Sequence, residues 1–281
     1  MKLKWILLTL LAMMAFAGNS LLCRLALKET GIDPTLFFAT RLVSGALMLW
    51  LMMRLRTERS ALEGSWRAAL ALFVYASGFA YAYVQIPAGT GALLLFASIQ
   101  ITMILYGLIK GDRLSSIQWL GVILALGGLI ALMLPRVESP PLSSALLMIG
   151  AGVAWGAYSL LGRGARNPSA ATAGNFIRSV PLALMALLVA FALGNIRVDN
   201  LGLLYALASG AITSGLGYVL WYAVLKHLNV TQAATVQLSV PVITAFAGAL
   251  LLAEAITSLL VFSTLAILLG VSLVIFTRSA R

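Results

Sequence analysis

Seven stretches of this chain carry no Asp, Glu, Lys or Arg: 5–23, 68–109, 114–135, 142–162, 200–225, 228–253 and 255–277. About twenty apolar residues cross the hydrocarbon of a bilayer as a helix, so each stretch is a candidate span. In hydrocarbon the backbone has to satisfy its own hydrogen bonds, and an α-helix does this within one segment. The 68–109 stretch is twice the length needed, and Pro87 with Gly89 and Gly91 divides it into two helices. Adding the more interrupted segments 35–53 and 170–193 gives ten spans. Composition agrees: 62% of residues are apolar and 10% charged, where a soluble domain carries about a quarter charged. The fold class this predicts is an all-α polytopic membrane protein. A water-soluble globule is excluded.

The net charge of +11 alone would fit a nucleic-acid partner, but its placement points to lipid. With the amino terminus inside, thirteen basic residues fall on that side: Lys2, Lys4, Arg54, Arg56, Arg59, Arg67, Lys110, Arg113, Arg163, Arg166, Lys226, Arg278 and Arg281. Four fall on the other: Arg24, Lys28, Arg136 and Arg197. This bias predicts both termini in the cytoplasm of a bacterial inner membrane, and no nucleic acid is needed to explain the charge. Cys23 is the single cysteine, so no internal disulfide and no thiolate metal cluster forms. The first span follows Lys2 and Lys4 as a signal sequence would. Its full length and the nine spans behind it predict a retained anchor.

The chain repeats itself. A helix–turn–helix unit at 88–134, with the turn Gly111-Asp112-Arg113-Leu114-Ser115, recurs at 229–276 with Ala253-Glu254-Ala255-Ile256-Thr257. Thr90 matches Thr231, Ser98 matches Ser239, and Gly128 matches Gly270. Weaker matches extend the echo in the same order: Asn19-Ser20 with Tyr158-Ser159, Ala46-Leu47-Met48 with Ala183-Leu184-Met185, and Ser77-Gly78 plus Tyr81 with Ser214-Gly215 plus Tyr218. The second of these sets pairs Arg41 with Arg178. The expected domains are a first five-helix repeat at 1–134, an external linker at 135–141 and a second repeat at 142–281. Five is odd, so the second copy enters the membrane from the opposite side. Inverted repeats enclose a midplane site in many secondary transporters.

No Asp or Glu falls inside any span, which argues against a carboxylate-driven proton antiporter. Asp112 and Glu254 lie at membrane edges, where an acid beside a capping hydroxyl suits the start of the next helix. Ser115 and Gln118 spell a capping box. Phe16, Asn19 and Ser20 on the first span and Trp155, Tyr158 and Ser159 on the sixth each form one face. Ser214, Gly215, Tyr218 and Trp221 form a stripe on the eighth, and Ser77, Gly78 and Tyr81 repeat it on the third. Two readings stand side by side: tight packing through small and hydroxylated residues, or the lining of a cavity. Trp155, Trp221 and Tyr218 favour a cavity, since Trp and Tyr otherwise gather at the interfaces; Trp5, Trp50, Trp66 and Trp119 do lie near helix ends.

Pro241, mid-way along the ninth span, cannot donate to the carbonyl of Gln237. That carbonyl, the Gln237 amide and Ser239 would then present polar atoms at mid-depth, unless the proline only kinks the helix. Pro181 stands in the same relation to Ile177. Arg41 and Arg178 lie close enough to helix ends to snorkel to the interface, the preferred reading over a substrate contact. His227, the single histidine, reads as a surface residue. There is no G-x-S-x-G, no metal-ligand cluster and no histidine at depth, so the chain is not expected to be an enzyme or to hold a cofactor or metal.

The duplicated Gly-acid-x-apolar-Ser/Thr turn, and Gly127-Gly128 on the fifth span, resemble the signature of EamA-type drug/metabolite transporters. Ala253 departs from it where glycine is usual. The resemblance implies two inverted five-helix repeats around a cavity. Within the family the chain is most similar to YddG-type exporters of aromatic amino acids, whose cavity is lined mainly by helices 1, 3, 4, 6, 8 and 9. Nucleotide-sugar and triose-phosphate carriers share the fold but need basic cavity residues, which spans eight and nine lack apart from Lys226. The expected function is export of aromatic amino acids and related amphipathic metabolites by facilitated diffusion with alternating access. A multidrug or cationic-compound exporter is the alternative. Candidate substrate contacts are Phe16, Asn19, Ser20, Ser77, Tyr81, Ser98, Trp155, Tyr158, Ser159, Tyr218, Trp221, Gln237 and Ser239. The oligomeric state is open, and a monomer is compatible with the sequence.

Overall fold

A computed structural model of the chain describes residues 3–55, 61–86, 88–133, 141–252 and 258–277. These form helices α1 (Leu3–Glu29), α2 (Pro34–Leu55), α3 (Trp66–Gln85), α4 (Ala88–Ile109), α5 (Ser116–Met133), α6 (Leu142–Gly162), α7 (Pro168–Ala192) and α8 (Asn200–Leu225). Two more follow: α9 in two pieces, Val230–Val236 and Ser239–Leu252, and α10 (Ser258–Phe276). Six of these (α1, α2, α3, α6, α7 and α8) are long and apolar enough to cross a membrane, and α4, α5 and α10 contain shorter apolar helices. No strand occurs among the described residues.

Capping sets the helix starts. The Ser65 hydroxyl accepts from Ala68 N at the head of α3 (3.1 Å). The Asn167 side chain accepts from Ser169 N and Ala170 N at the head of α7, where Pro168 takes the first turn. At α5 the capping box closes: Ser115 N donates to Gln118 Oε1 (3.1 Å) and Gln118 N to Ser115 Oγ (3.3 Å). Asn229 and Gln232 form a second box at α9. Both glutamines reach further, to carbonyls at the end of α10: Gln118 Nε2 to Val274 and Thr277, Gln232 Nε2 to Ile275. Gly111 takes φ +93°, a left-handed turn that suits glycine. Asp112 is half-buried against Gly107, and its Oδ2 has no partner among the described residues. Glu254 and Thr257, the matching pair in the second turn, lie outside the described residues, as do Pro87 and 135–140 of the linker.

Exchanging each helix for the one five places on preserves the main helix contacts. Helix α5 packs on α10 and α2 on α7; α3 packs on α6 as α8 does on α1; α4 packs on α6 as α9 does on α1. Small residues permit the closest approaches. A Cβ at Gly121 would lie 2.8 Å from the Gly270 carbonyl, and one at Gly270 would lie 2.5 Å from that of Gly121, so α5 and α10 meet backbone to backbone. Helices α2 and α8 meet likewise at Gly45 and Gly210.

Two helices depart from regular α geometry near the centre. The middle of α8, Ser209–Leu216, is a π-helix, a distortion that often accompanies function. Helix α9 breaks at Gln237 and Leu238, one turn before Pro241. The expectation of an exposed Gln237 carbonyl needs correction. The chain tightens to three-residue spacing, and Val240 N donates to that oxygen (3.0 Å). By contrast α7 runs through Pro181 without interruption.

Candidate functional site

The first, third, fourth, sixth, eighth and ninth helices meet in a small cavity of about 30 Å³. Its walls include Phe16, Asn19 and Ser20 of α1, Tyr75 and Phe79 of α3, Trp155 of α6, Tyr218 of α8 and Gln237 at the break in α9. The volume is close to that of one water molecule, so the centre is closed in this conformation.

Rings dominate the walls. Phe16 sets its edge against Trp155 (5.2 Å between centroids), Tyr218 (5.7 Å) and Trp221 (5.7 Å). Trp155 lies 4.7 Å from Tyr218, 4.9 Å from Tyr75 and stacks on Tyr158 at 5.5 Å. Polar atoms in this buried region find each other, as burial demands. Trp155 Nε1 donates to Gln237 Oε1 (2.6 Å), and Gln237 Nε2 donates to the Ala233 carbonyl (2.9 Å). Trp221 Nε1 donates to Ser159 Oγ (3.0 Å). Asn19 Oδ1 accepts from Ser209 (2.7 Å) and, at 3.4 Å, from Ser214; the wider π-helical turn of α8 supplies both hydroxyls. Tyr158, Ser159 and Trp221 form a fully buried layer next to the cavity wall.

Four candidate residues sit elsewhere. Ser77 and Tyr81 line an apolar groove of about 910 Å³ beside α6 and α7. Ser77 Oγ bonds its own helix at the Phe73 carbonyl, and Tyr81 is 44% exposed with its hydroxyl 2.6 Å from Thr35 Oγ1. Two residues turn a helix by roughly 200°, so Tyr75 and Phe79 face the centre where Ser77 and Tyr81 face away. Ser98 bonds the Leu94 carbonyl (2.7 Å) and packs against Gly152, joining α4 to α6. Ser239 bonds the Val236 carbonyl and lines a separate apolar groove with Leu10 and Phe246, while its neighbour Val240 faces the central cavity.

Arg41 does not snorkel. It is 1% exposed, on the face of α2 that also carries the buried residues Phe37, Ser44 and Gly45. Its Nε donates to Ser214 Oγ (2.9 Å) and its Nη2 to Tyr218 Oη (2.7 Å). The guanidinium carbon lies 5.3 Å from the Tyr75 ring and 6.0 Å from that of Phe79, within cation–π range. Nη1 has no hydrogen-bond partner among the described residues. The sequence could have signalled this only through the interior face that position 41 shares with Phe37 and Gly45. Its counterpart Arg178 is half-buried and turns to the loop, donating from Nη1 to the carbonyls of Glu63 and Gly174 (both 3.0 Å). His227 is exposed and stacks on Trp5 at 3.6 Å.

The model of the EamA-like transporter family matches residues 3–134 and again 142–276. The chain belongs to the EamA-like transporter family. As a member it is a multi-pass membrane transporter. A relative from Pseudomonas aeruginosa, described as uncharacterized, is 55% identical over 98% of this chain and 96% of its own. A protein of Salmonella typhimurium named a probable amino-acid metabolite efflux pump is 26% identical over 69% of this chain and 70% of its own. An uncharacterized transporter of Bacillus subtilis, YoaV, is 21% identical over 89% of this chain and 90% of its own. One solved crystal structure, 19% identical, superposes with a TM-score of 0.76 over 94% of this chain and 96% of that one. It shares the fold of this EamA-like transporter.

Proposed function

We propose that this EamA-like transporter exports amino acids, aromatic ones foremost, together with related amphipathic metabolites, across the bacterial inner membrane. The observation that carries the proposal is the closed aromatic centre: Phe16, Tyr75, Trp155 and Tyr218 surround one small cavity, and no carboxylate lies in the interior of any span. Ring faces and edges suit an aromatic side chain, and pairs of this kind contribute about 0.5–1.5 kcal/mol beyond simple burial. Asn19 and Gln237 offer amide groups to the charged ends of an amino acid. The amino-acid metabolite efflux named for the Salmonella relative supports the substrate class.

Transport proceeds by facilitated diffusion with alternating access. Without a titratable carboxylate at depth there is no obvious group to couple proton entry to substrate movement. The two halves, 1–134 and 142–281, are threaded in opposite directions with both termini in the cytoplasm. The packing pattern, which survives exchange of helices five apart, and the one-sided distribution of Lys and Arg support this arrangement. The break in α9 and the π-helical turn of α8 give the centre room to rearrange.

Purified protein in liposomes tests the substrate directly. Labelled phenylalanine and tryptophan are expected to enter faster than in protein-free vesicles, without an imposed proton gradient. Equal rates in the two preparations would overturn the substrate class; flux that requires a proton gradient would overturn the uncoupled mechanism.

A further inference from the structure

We propose that Arg41 is the carboxylate-binding residue of the central site and makes the transporter select amphiphiles bearing a carboxylate over those bearing only an ammonium. The proposal rests on the reading of the centre as a substrate site.

A guanidinium removed from water is held in place by opposite charge or by complete hydrogen bonding. Arg41 has neither in full. Two of its nitrogens donate to Ser214 and Tyr218, while Nη1 has no partner among the described residues. No Asp or Glu lies in the interior of any span to neutralise it, Glu29 standing at the very end of α1. The negative charge that completes this site must therefore come from outside the spans, and the paired donors of a guanidinium match the two oxygens of a carboxylate.

Placement makes that ligand the substrate. The rings against the guanidinium, Tyr75 and Phe79, and the phenol it bonds, Tyr218, are themselves walls of the central cavity. Arg41 is thus one ring's thickness from the cavity. Through Ser214 it is also joined to Asn19, another wall residue. When the closed centre widens to admit a molecule larger than water, displacement of these rings presents Nη1 to the incoming carboxylate. An amino acid then sets its carboxylate on Arg41 and its ammonium toward the ring faces and Gln237 Oε1. A cationic amphiphile finds a fixed positive charge with no counter-charge.

Binding to the purified protein in detergent, read by tryptophan fluorescence, tests this with two probes that share a ring and differ in charge: phenylacetate and phenethylamine. The wild type is expected to bind phenylacetate at least ten-fold more tightly than phenethylamine. Arg41→Gln should lose most of that preference, and Arg41→Lys, which keeps the charge but loses the fork, should keep part of it. Equal binding of the two probes by the wild type, or an undiminished preference in folded Arg41→Gln, would overturn the proposal. If Arg41→Gln does not fold, the wild-type comparison and Arg41→Lys still decide. Titrations run at low and at raised chloride separate the sources of negative charge. Loss of phenylacetate binding at millimolar chloride would assign the site to a small inorganic anion and refute the carboxylate reading. Because phenylacetate is not an amino acid, a carboxylate preference combined with no amino-acid flux in liposomes would leave Arg41's role standing and remove only the substrate class.

Discussion

Trp155 and Gln237 show how one buried bond can join two helices, α6 and α9, at the centre. The indole N–H meets the amide oxygen at 2.6 Å, with both groups buried. Gln237→Leu leaves that donor unpaired, which costs about 1–3 kcal/mol. The expected result is a lower melting temperature in detergent, with Trp155→Phe recovering most of the loss when combined with it. A double-mutant cycle measures that coupling. Asp199 offers a residue-scale test in pH. It caps α8 by accepting from Gly202 N (2.9 Å) and also accepts from Gly31 N in the loop between α1 and α2 (3.3 Å). These backbone bonds, from Gly202 first and then Gly31, hold its carboxyl below the usual carboxylate range. A depressed folded value means the stabilisation is complete above that range and is lost as pH falls through it. Wild type should therefore melt above Asp199→Asn at neutral pH, and the gap should close on acidification below the usual carboxylate range; a gap unchanged with pH would refute the assignment. Individual residues were the least legible part of the sequence. Phe16, Asn19, Trp155, Tyr218 and Gln237 stood out as large or polar groups deep in apolar runs, and they meet. Arg41 stood out as a charge within a span but was read as snorkelling, and Tyr75 and Phe79 gave no comparable signal, because only the facing of a helix against its neighbours decides which side chain looks inward.

Helices read well where hydrogen bonding is local. Apolar runs, Pro87 and the Ser115 cap placed most boundaries within a residue or two, since helix length and end chemistry are written in the segment itself. The π-helical stretch of α8 was not legible, because it depends on what α2 presents across the contact. Gly210 lies against the Arg41 carbonyl and the Ser44 hydroxyl, with no space for a Cβ. Gly210→Ala is expected to push α8 off α2, costing at least 1–3 kcal/mol as overpacking and loosening the Arg41–Tyr218 bond. A thermal melt in detergent reads the first effect. Gly127→Ala, where nothing lies within 4 Å, is the matched control and should be near neutral. If the two substitutions melt alike, close approach at Gly210 is not what holds these helices together.

At the scale of the whole molecule, repetition was the informative signal. The family match falls in two runs and the described residues form helices without strands, so the all-helical membrane fold was visible before any side chain was placed. The state of the centre was not visible, because apolar runs do not say whether rings meet or part. In this structure they meet around a volume close to one water. The proposed alternating access requires this centre to open to each side in turn, around a substrate that stabilises the open forms. A single thiol at the cavity reports this directly. Cys23 is buried, so Cys23→Ala supplies the background, and Ser20→Cys places a thiol on the wall at a position whose hydroxyl bonds only its own helix. Labelling with a membrane-impermeant thiol reagent is expected from either face of sealed vesicles and is expected to slow when phenylalanine is added. Labelling from one face alone, or at a rate indifferent to phenylalanine, would contradict a central site that serves both sides of the membrane.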